Sequence, residues 1–337
     1  MKKRLWLLAS VFAITLLLSA CGAKSKEDVV RGLNEKIEEM KGYKAKAKMT
    51  LKVGDEPQTY EIEIWHRAPD HYRVHLKNDK KEQSQMILRN DDGVYVLTPA
   101  LNKSYRFQSD WPKNGSQPYL YASLVKDILE DKASIFKGVK DTFVFETKTR
   151  YQNNKMVPIQ EITFHKKSLA PKLVKVMDTN RSQVISVDFS AFEFNPKFDE
   201  DSFEVKKNMT GAQLVVPVDA GEKEEGFTIK YPTAELPDVQ LVEKEELDTG
   251  NGTRVVLTYG GEKSFTLIQE KAEVIPTMML ETEANGKMAD LGFAIGEITE
   301  NSLSWTYNGV DYLLASQDLT EEEMMTIARS VQGTGVK

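Results

Sequence analysis

The sequence contains a single cysteine, Cys21, and only four histidines. One thiol excludes an intramolecular disulfide framework and a cysteine-built zinc site, so the position of Cys21 has to be explained on its own. Positive charge is also scarce. With 45 Lys and Arg against 51 Asp and Glu, the formal charge is -6, no net positive field favours a phosphate backbone, and no nucleic-acid partner is expected. Long apolar runs are missing after the first eighteen residues, and a mean hydropathy of -0.44 excludes a polytopic membrane protein. A hydrophobic content of 40% is too high for a mostly disordered chain. Phosphate-cradling glycine loops, HExxH zinc motifs, GxSxG elbows and EF-hand loops are all lacking. With His66, His71, His75 and His165 the only imidazoles, histidine-based sites are few. No catalytic residue, cofactor or metal site is expected.

What is present begins with an address. Lys2, Lys3 and Arg4 precede an almost wholly apolar run from Leu5 to Leu18, the pattern of a signal peptide and too short to span a bilayer comfortably. The run ends in Leu18-Ser19-Ala20-Cys21, which resembles the lipobox of bacterial lipoproteins, where the cysteine thiol carries diacylglycerol. The expectation is a signal peptide over 1–20, lipidation (a palmitate-type anchor) on Cys21, and a protein held at the extracytoplasmic face of the cell membrane. Cleavage removes three positive charges and takes the formal charge from -6 to -9. An anionic lipid surface would therefore not hold the mature chain electrostatically, whereas two acyl chains would hold it stably.

The mature chain reads as an α+β protein. Ser25-Lys26-Glu27-Asp28 opens a helix as a capping box, with Val29, Val30, Leu33, Ile37 and Met40 at helical spacing before Gly42. Tyr43, Ala45, Ala47, Met49, Leu51 and Val53 then alternate with lysines, which predicts a half-buried antiparallel strand with a lysine row in water. The alternation recurs at Tyr60, Ile62 and Ile64, and at Tyr72, Val74 and Leu76. Further strands are expected near 85–89, 94–98, 104–107, 143–149, 159–165, 173–177 and 184–189, with a helix over about 118–131 between the two groups. This is a curved sheet covered on one side by helices. The pattern thins at 209–226, which is assigned as a linker between a 21–208 domain and a smaller 227–337 domain. In the latter, 227–232, 254–259, 264–269, 302–307 and 311–315 read as strands. Asn308-Gly309 marks a hairpin, and Thr320 with Glu323 caps a last helix over a Leu319–Met324 staple.

Two clusters bear on function. His66, His71 and His75 form one cluster, of which His71 and His75 lie four apart on one strand, about 13 Å along it, too far for one metal; the cluster reads as solvated imidazoles beside Arg73 and Lys77. The acidic pairs Asp91-Asp92 and Asp199-Glu200-Asp201 read as turns. The aromatic and aliphatic residues Tyr43, Ala45, Ala47, Met49, Tyr60, Ile62, Ile64, Tyr72, Val74 and Tyr95 on successive strands either form plain core or line an apolar cavity for an acyl chain or a partner's side chain.

Ile64-Trp65-His66-Arg67-Ala68-Pro69-Asp70-His71-Tyr72-Arg73, followed by Ile87 to Val96, with Pro171, Asp178, Phe189, Asn195, Asp199 and Phe203 further on, resembles the LolA and LolB lipoprotein-sorting superfamily and its stress-sensor relative RseB. The resemblance covers about 24–207 and implies an unclosed β-barrel whose hydrophobic concave side is covered by helices and, in the carriers, takes lipoprotein acyl chains. Carriers typically place an arginine directly before that proline. Here Ala68 holds the place and Arg67 sits one residue earlier, which in a strand turns the side chain to the other face. The segment from Phe227 to Pro232 and that from Trp305 to Val331 resemble a C-terminal domain of unassigned function in Gram-positive lipoproteins, and the combination resembles sporulation-associated lipoproteins of spore-formers. The resemblance and the missing catalytic set together imply a non-enzymatic anchored protein that takes a lipid or lipoprotein ligand or an envelope protein partner. An RseB-like sensor or adaptor is the alternative, and a hydrolase using Glu61 or Glu63 a third.

Overall fold

The computed structural model describes residues 24–52, 57–78, 84–113, 115–151, 156–213, 227–234, 236–249, 252–274 and 280–331. The signal peptide, Cys21 and positions 214–226 of the expected linker lie outside the described residues.

Helix α1 (Lys26–Glu39) starts as its capping box requires: the Ser25 hydroxyl accepts from the Asp28 N–H, and the Asp28 carboxylate accepts from the Ser25 N–H. Six strands follow as an antiparallel meander: β1 (Gly42–Leu51), β2 (Gln58–Arg67), β3 (His71–Asn78), β4 (Ser84–Arg89), β5 (Val94–Thr98) and β6 (Lys103–Phe107). Helix α2 (Tyr121–Glu130) then crosses to a second meander, β7 (Ile135–Val139), β8 (Thr142–Lys148), β9 (Ile159–His165), β10 (Pro171–Met177) and β11 (Gln183–Phe194), whose last strand returns to pair with β1. Helix α3 (Val205–Gln213) includes the first positions of the expected linker.

The C-terminal part supplies β12 (Val239–Asp248), β13 (Thr253–Gly261), β14 (Phe265–Lys271), β15 (Leu280–Glu283), β16 (Lys287–Asp290), β17 (Ile295–Ile298), β18 (Ser302–Tyr307), β19 (Val310–Ala315) and helix α4 (Glu321–Ser330). Six of these strands join β12 in a seven-stranded antiparallel sheet, whereas β15 adds parallel to β6 at the edge of the first sheet and brings it to twelve strands. The architecture is α+β, with a large antiparallel sheet that does not close into a barrel, helices α1 and α2 over one side and α3 against the other, and a second sheet with its own helix.

The expected alternation is visible in the register. On β1, Ala45, Ala47, Met49 and Leu51 are buried while Lys46 and Lys48 are exposed, opposite Glu63 and Glu61 of β2, pairs of opposite charge that favour this register. The Asn308-Gly309 turn has both residues at positive φ, 52° and 72°, as a two-residue type I′ hairpin needs.

Several elements depart from expectation. Phe227–Pro232 joins no ladder. Instead the fully buried Gln269 amide grips Lys230, accepting from its N–H at 2.8 Å and donating to its C=O at 2.7 Å, so one side chain satisfies the backbone that a strand would have satisfied. Strands β7 and β12 carry mostly exposed side chains, which leaves no period-two signal to read.

Buried residues of both sheets belong to one contiguous apolar cluster, running from Val29 of α1 to Val331. A smaller cluster on the opposite face gathers Met86, Leu88, Tyr95 and Leu97 under Phe203 and Met209. Hence β4 and β5 are buried on both faces.

Gly42, the first residue of β1, sits at φ 155°, and a Cβ there would lie 2.2 Å from the His66 carbonyl oxygen of β2. The expected result of Gly42→Ala is a loss of about 2 kcal/mol or more, since both a glycine-only backbone region and the β1–β2 ladder are involved. Denaturant unfolding of the two proteins measures it.

Candidate functional site

The concave face of the first sheet is covered in two ways. Helices α1 and α2 fill most of it, with Val29, Leu33, Leu124, Val125 and Ile128 buried against the strands. The remainder faces α4 and the end of β16, and there the covering is incomplete: a cavity of about 480 Å³ opens between them, within the range of about 300–1,000 Å³ usual for small-molecule sites.

Its walls come from distant parts of the chain. Met49 and Leu51 of β1 with Val184 and Ile185 of β11 form the sheet side, Trp111, residues 115–119 and Tyr151 form a second side, and Met288, Asp290 and Leu291 with Met325 and Arg329 of α4 close it from the second sheet. Met156, half exposed, also borders it and accepts a weak hydrogen bond from Thr326 of α4 through its sulfur at 3.7 Å.

A buried carboxylate holds the second side in place. Asp127 of α2 accepts from Ser116 at 2.8 Å, from the Arg150 guanidinium and from Gln160 of β9. Ser116 in turn accepts from the Arg150 main-chain N–H at 2.7 Å, and Ser123 accepts from the Gln117 N–H at 2.8 Å. Burial pushes the Asp127 carboxyl up, while Arg150, Gln160 and Ser116 pull it back down. The network ties the 115–117 segment and the chain leading to Tyr151 to one helix.

The cavity is apolar over most of its lining; Lys52 and Asp178 also border it, and Arg329 and Asp290 form a polar corner. Arg329 donates through Nη2 to the main-chain oxygen of Asp290 at 2.8 Å, and the Asp290 carboxylate accepts from the Gly292 N–H at 2.8 Å. Both side chains keep some surface open to the cavity, yet protein atoms surround them. Burial therefore raises the Asp290 carboxyl and lowers Arg329, each partly opposed by the other's charge. Tyr151 lies within electrostatic reach of both, and burial raises its hydroxyl well above the usual range.

Most residues expected to line a cavity are packed core. Tyr43, Ala45, Ala47, Tyr60, Ile62, Ile64, Tyr72 and Val74 are buried on the concave face, and of the expected set only Met49 reaches the cavity. Tyr43 is typical: its ring stacks on Phe192 and meets Tyr121 edge-on, and its hydroxyl accepts from the Tyr121 N–H at 3.2 Å. Tyr95 is a correction. Val94 and Val96 point into the main core, so alternation along β5 sends Tyr95 to the opposite face, into the cluster with Leu88 and Phe203. Glu61 and Glu63 are also on that opposite face, away from the cavity, where Glu63 accepts from Arg73 at 2.7 Å.

The histidines need correcting too. His66 is buried beside Tyr43 and stacked on Tyr72, its Nδ1 within 3.0 Å of the His71 carbonyl oxygen. His71 packs edge-on against Phe203, and His75 has its Nε2 buried without a partner. Residues 200–209 cover this face of the strands, with Phe203 against His71 and Asn208 accepting from Arg73 at 2.7 Å, so it is not the solvated surface that alternation alone suggests. No group of three or more metal-ligating side chains occurs among the described residues. Sequence reasoning missed Arg329, Asp290, Tyr151 and Gln117. An arginine in the last turn of an amphipathic helix reads as a solvated residue favourable to the helix dipole, and only the packing of α4 against the first sheet encloses it.

Burial lowers His66 and His75 from 6.5 to about 4. Both are neutral in the folded protein at pH 6.5 while the unfolded chain takes up protons below that value, so stability is complete above pH 6.5 and falls as the pH drops towards 4. His66 alone contributes about 3 kcal/mol to that fall. Thermal unfolding across this range should show the slope, and His66→Phe should reduce it to the part that His75 contributes.

The family model for sporulation proteins of the YdcC-like type matches residues 1–203. The sporulation protein YdcC of Bacillus subtilis (strain 168) is 54% identical over 337 residues, covering 100% of this chain and 99% of the relative. Among solved structures, that of MucB is 13% identical, covers 92% of this chain and 98% of its own, and superposes with a TM-score of 0.34. The structure of the CwlD amidase from Clostridioides difficile in complex with the GerS lipoprotein is 19% identical, covering 52% of this chain and 98% of that one, with a TM-score of 0.32. Superpositions at this level are too loose to bear on the site.

Proposed function

The chain belongs to the family of YdcC-like sporulation proteins, and on that premise we propose that it is a non-enzymatic binding protein of the cell envelope, active in sporulation or germination. Cys21 carries the lipid that anchors it at the extracytoplasmic face of the membrane, and the cavity between the first sheet and α4 takes an apolar ligand, an acyl chain or a hydrophobic segment of a lipoprotein or partner. The observation that carries this reading is the cavity itself, about 480 Å³ with mostly apolar walls. An apolar space of that size left unfilled forfeits packing that a closed core would have, and a ligand that fills it recovers that contact.

A second reading, an adaptor that regulates a membrane protein or cell-wall enzyme by direct contact, draws on β12. This strand is at the edge of the second sheet and leaves Leu241, Val242 and Leu247 exposed, and a free edge with apolar side chains is a template for pairing.

Two experiments test the proposal. Native mass spectrometry of the gently purified full chain should show a co-purifying lipid, and Ile185→Trp, which fills the cavity from β11, should lose it while unfolding normally. A clean apoprotein mass for the unsubstituted chain would overturn ligand binding and move the weight to the adaptor. Separately, Cys21→Ser should shift the protein from the membrane fraction to the soluble fraction; unchanged partition would overturn the anchor.

A further inference from the structure

The polar corner of the cavity has capacity that the protein does not use. The Tyr151 hydroxyl and Trp111 Nε1 are buried and make no hydrogen bond, and the Gln117 Oε1 nearby is likewise unsatisfied. All three residues line the cavity together with Arg329 and Asp290. Buried polar atoms are nearly always paired, and each orphan costs free energy unless something meets it. Here they border one cavity whose lining is mostly apolar.

The two charges of the corner are not equally engaged. The Asp290 carboxylate already accepts from the Gly292 N–H at 2.8 Å and is held by the Gln117 amide. The Arg329 guanidinium, a fork of five N–H donors, donates through Nη2 to a main-chain oxygen, that of Asp290. Of the unsatisfied groups, the remaining guanidinium N–H groups, the Tyr151 O–H and the Trp111 N–H are donors and the Gln117 Oε1 is an acceptor, so the larger residual demand is for an acceptor.

We infer that the cavity binds a single-chain amphiphile with a carboxylate head, the head taking hydrogen bonds from Arg329 and Tyr151 and the chain lying along Met49, Leu51 and Ile185 towards Met288. This rests on the ligand-binding reading proposed for the cavity and adds the class of ligand to it. Arginine suits a carboxylate because its planar fork can meet both oxygens at once.

Isothermal titration of the full chain at neutral pH with dodecanoate, dodecanol and dodecylamine separates the possibilities, since the three share a chain and differ in the head. Dodecanoate should bind roughly tenfold or more tightly than either of the others, the amount one charge-assisted hydrogen bond contributes. Arg329→Met should abolish that preference while keeping the affinity for dodecanol. Should Arg329→Met fail to fold, as thermal unfolding would reveal, Tyr151→Phe carries the test, with a several-fold loss for dodecanoate and none for dodecanol. Equal binding of dodecanoate and dodecanol, or a preference for dodecylamine, would overturn the carboxylate inference and leave the apolar site standing. Binding of none of the three would overturn the site and this inference with it.

Discussion

An antiparallel sheet that curves without closing has one apolar concave face to cover, and that requirement organises the molecule. The twelve-stranded sheet ends in β15 on one side and β7 on the other, so its face cannot be sealed by hydrogen bonding the two edges together as in a closed barrel. Two helices are too small for the whole area. The rest is covered by α4 and the second sheet, which is why the apolar core runs without a break through both sheets. The cavity is what remains where these coverings meet.

The seam between the sheets carries polar contacts as well as apolar ones. Tyr307 donates to Gln58 at 2.6 Å and shares a contact of 2.9 Å with the Tyr60 hydroxyl. The Gln85 amide bridges both backbone groups of Ile295, and Lys103 pairs with Asp311 at 2.8 Å. Together with β15 on the edge of the first sheet, these contacts make the C-terminal part a structural component of the cavity wall. Directional contacts of this kind add specificity to an apolar interface, fixing one arrangement among many of similar area.

Buried polar side chains do comparable work at two further places. Asp127 draws a helix, a loop and a strand to one carboxylate, and Gln269 replaces a strand partner for Lys230. At both, the buried group is satisfied by several bonds, which is the condition under which a polar atom can be tolerated in a core. Tyr151 and Trp111 in the cavity lining are the contrast, since each has a buried polar atom that meets no partner.

Much of the architecture was legible in the sequence. Capping boxes at Ser25 and Thr320, the alternation on β1 to β3 and the Asn308-Gly309 turn are local signals, each decided by residues within a few positions of one another, and all three appear in the structure. The inward face of β1 to β3 followed from the same period of two. Edge strands β7 and β12 were not legible because their side chains are exposed on both sides, and Tyr95 was misplaced because β5 is apolar on both faces, so alternation had no polar side to mark. The sequence by itself determined the class of fold, the helix ends and most of the core. Tertiary structure decided which apolar faces meet, where they fail to meet, and that Arg329, Asp290 and Tyr151, far apart along the chain, share one enclosure. Local patterns record the environment of a residue relative to its own element, whereas a cavity exists only between elements.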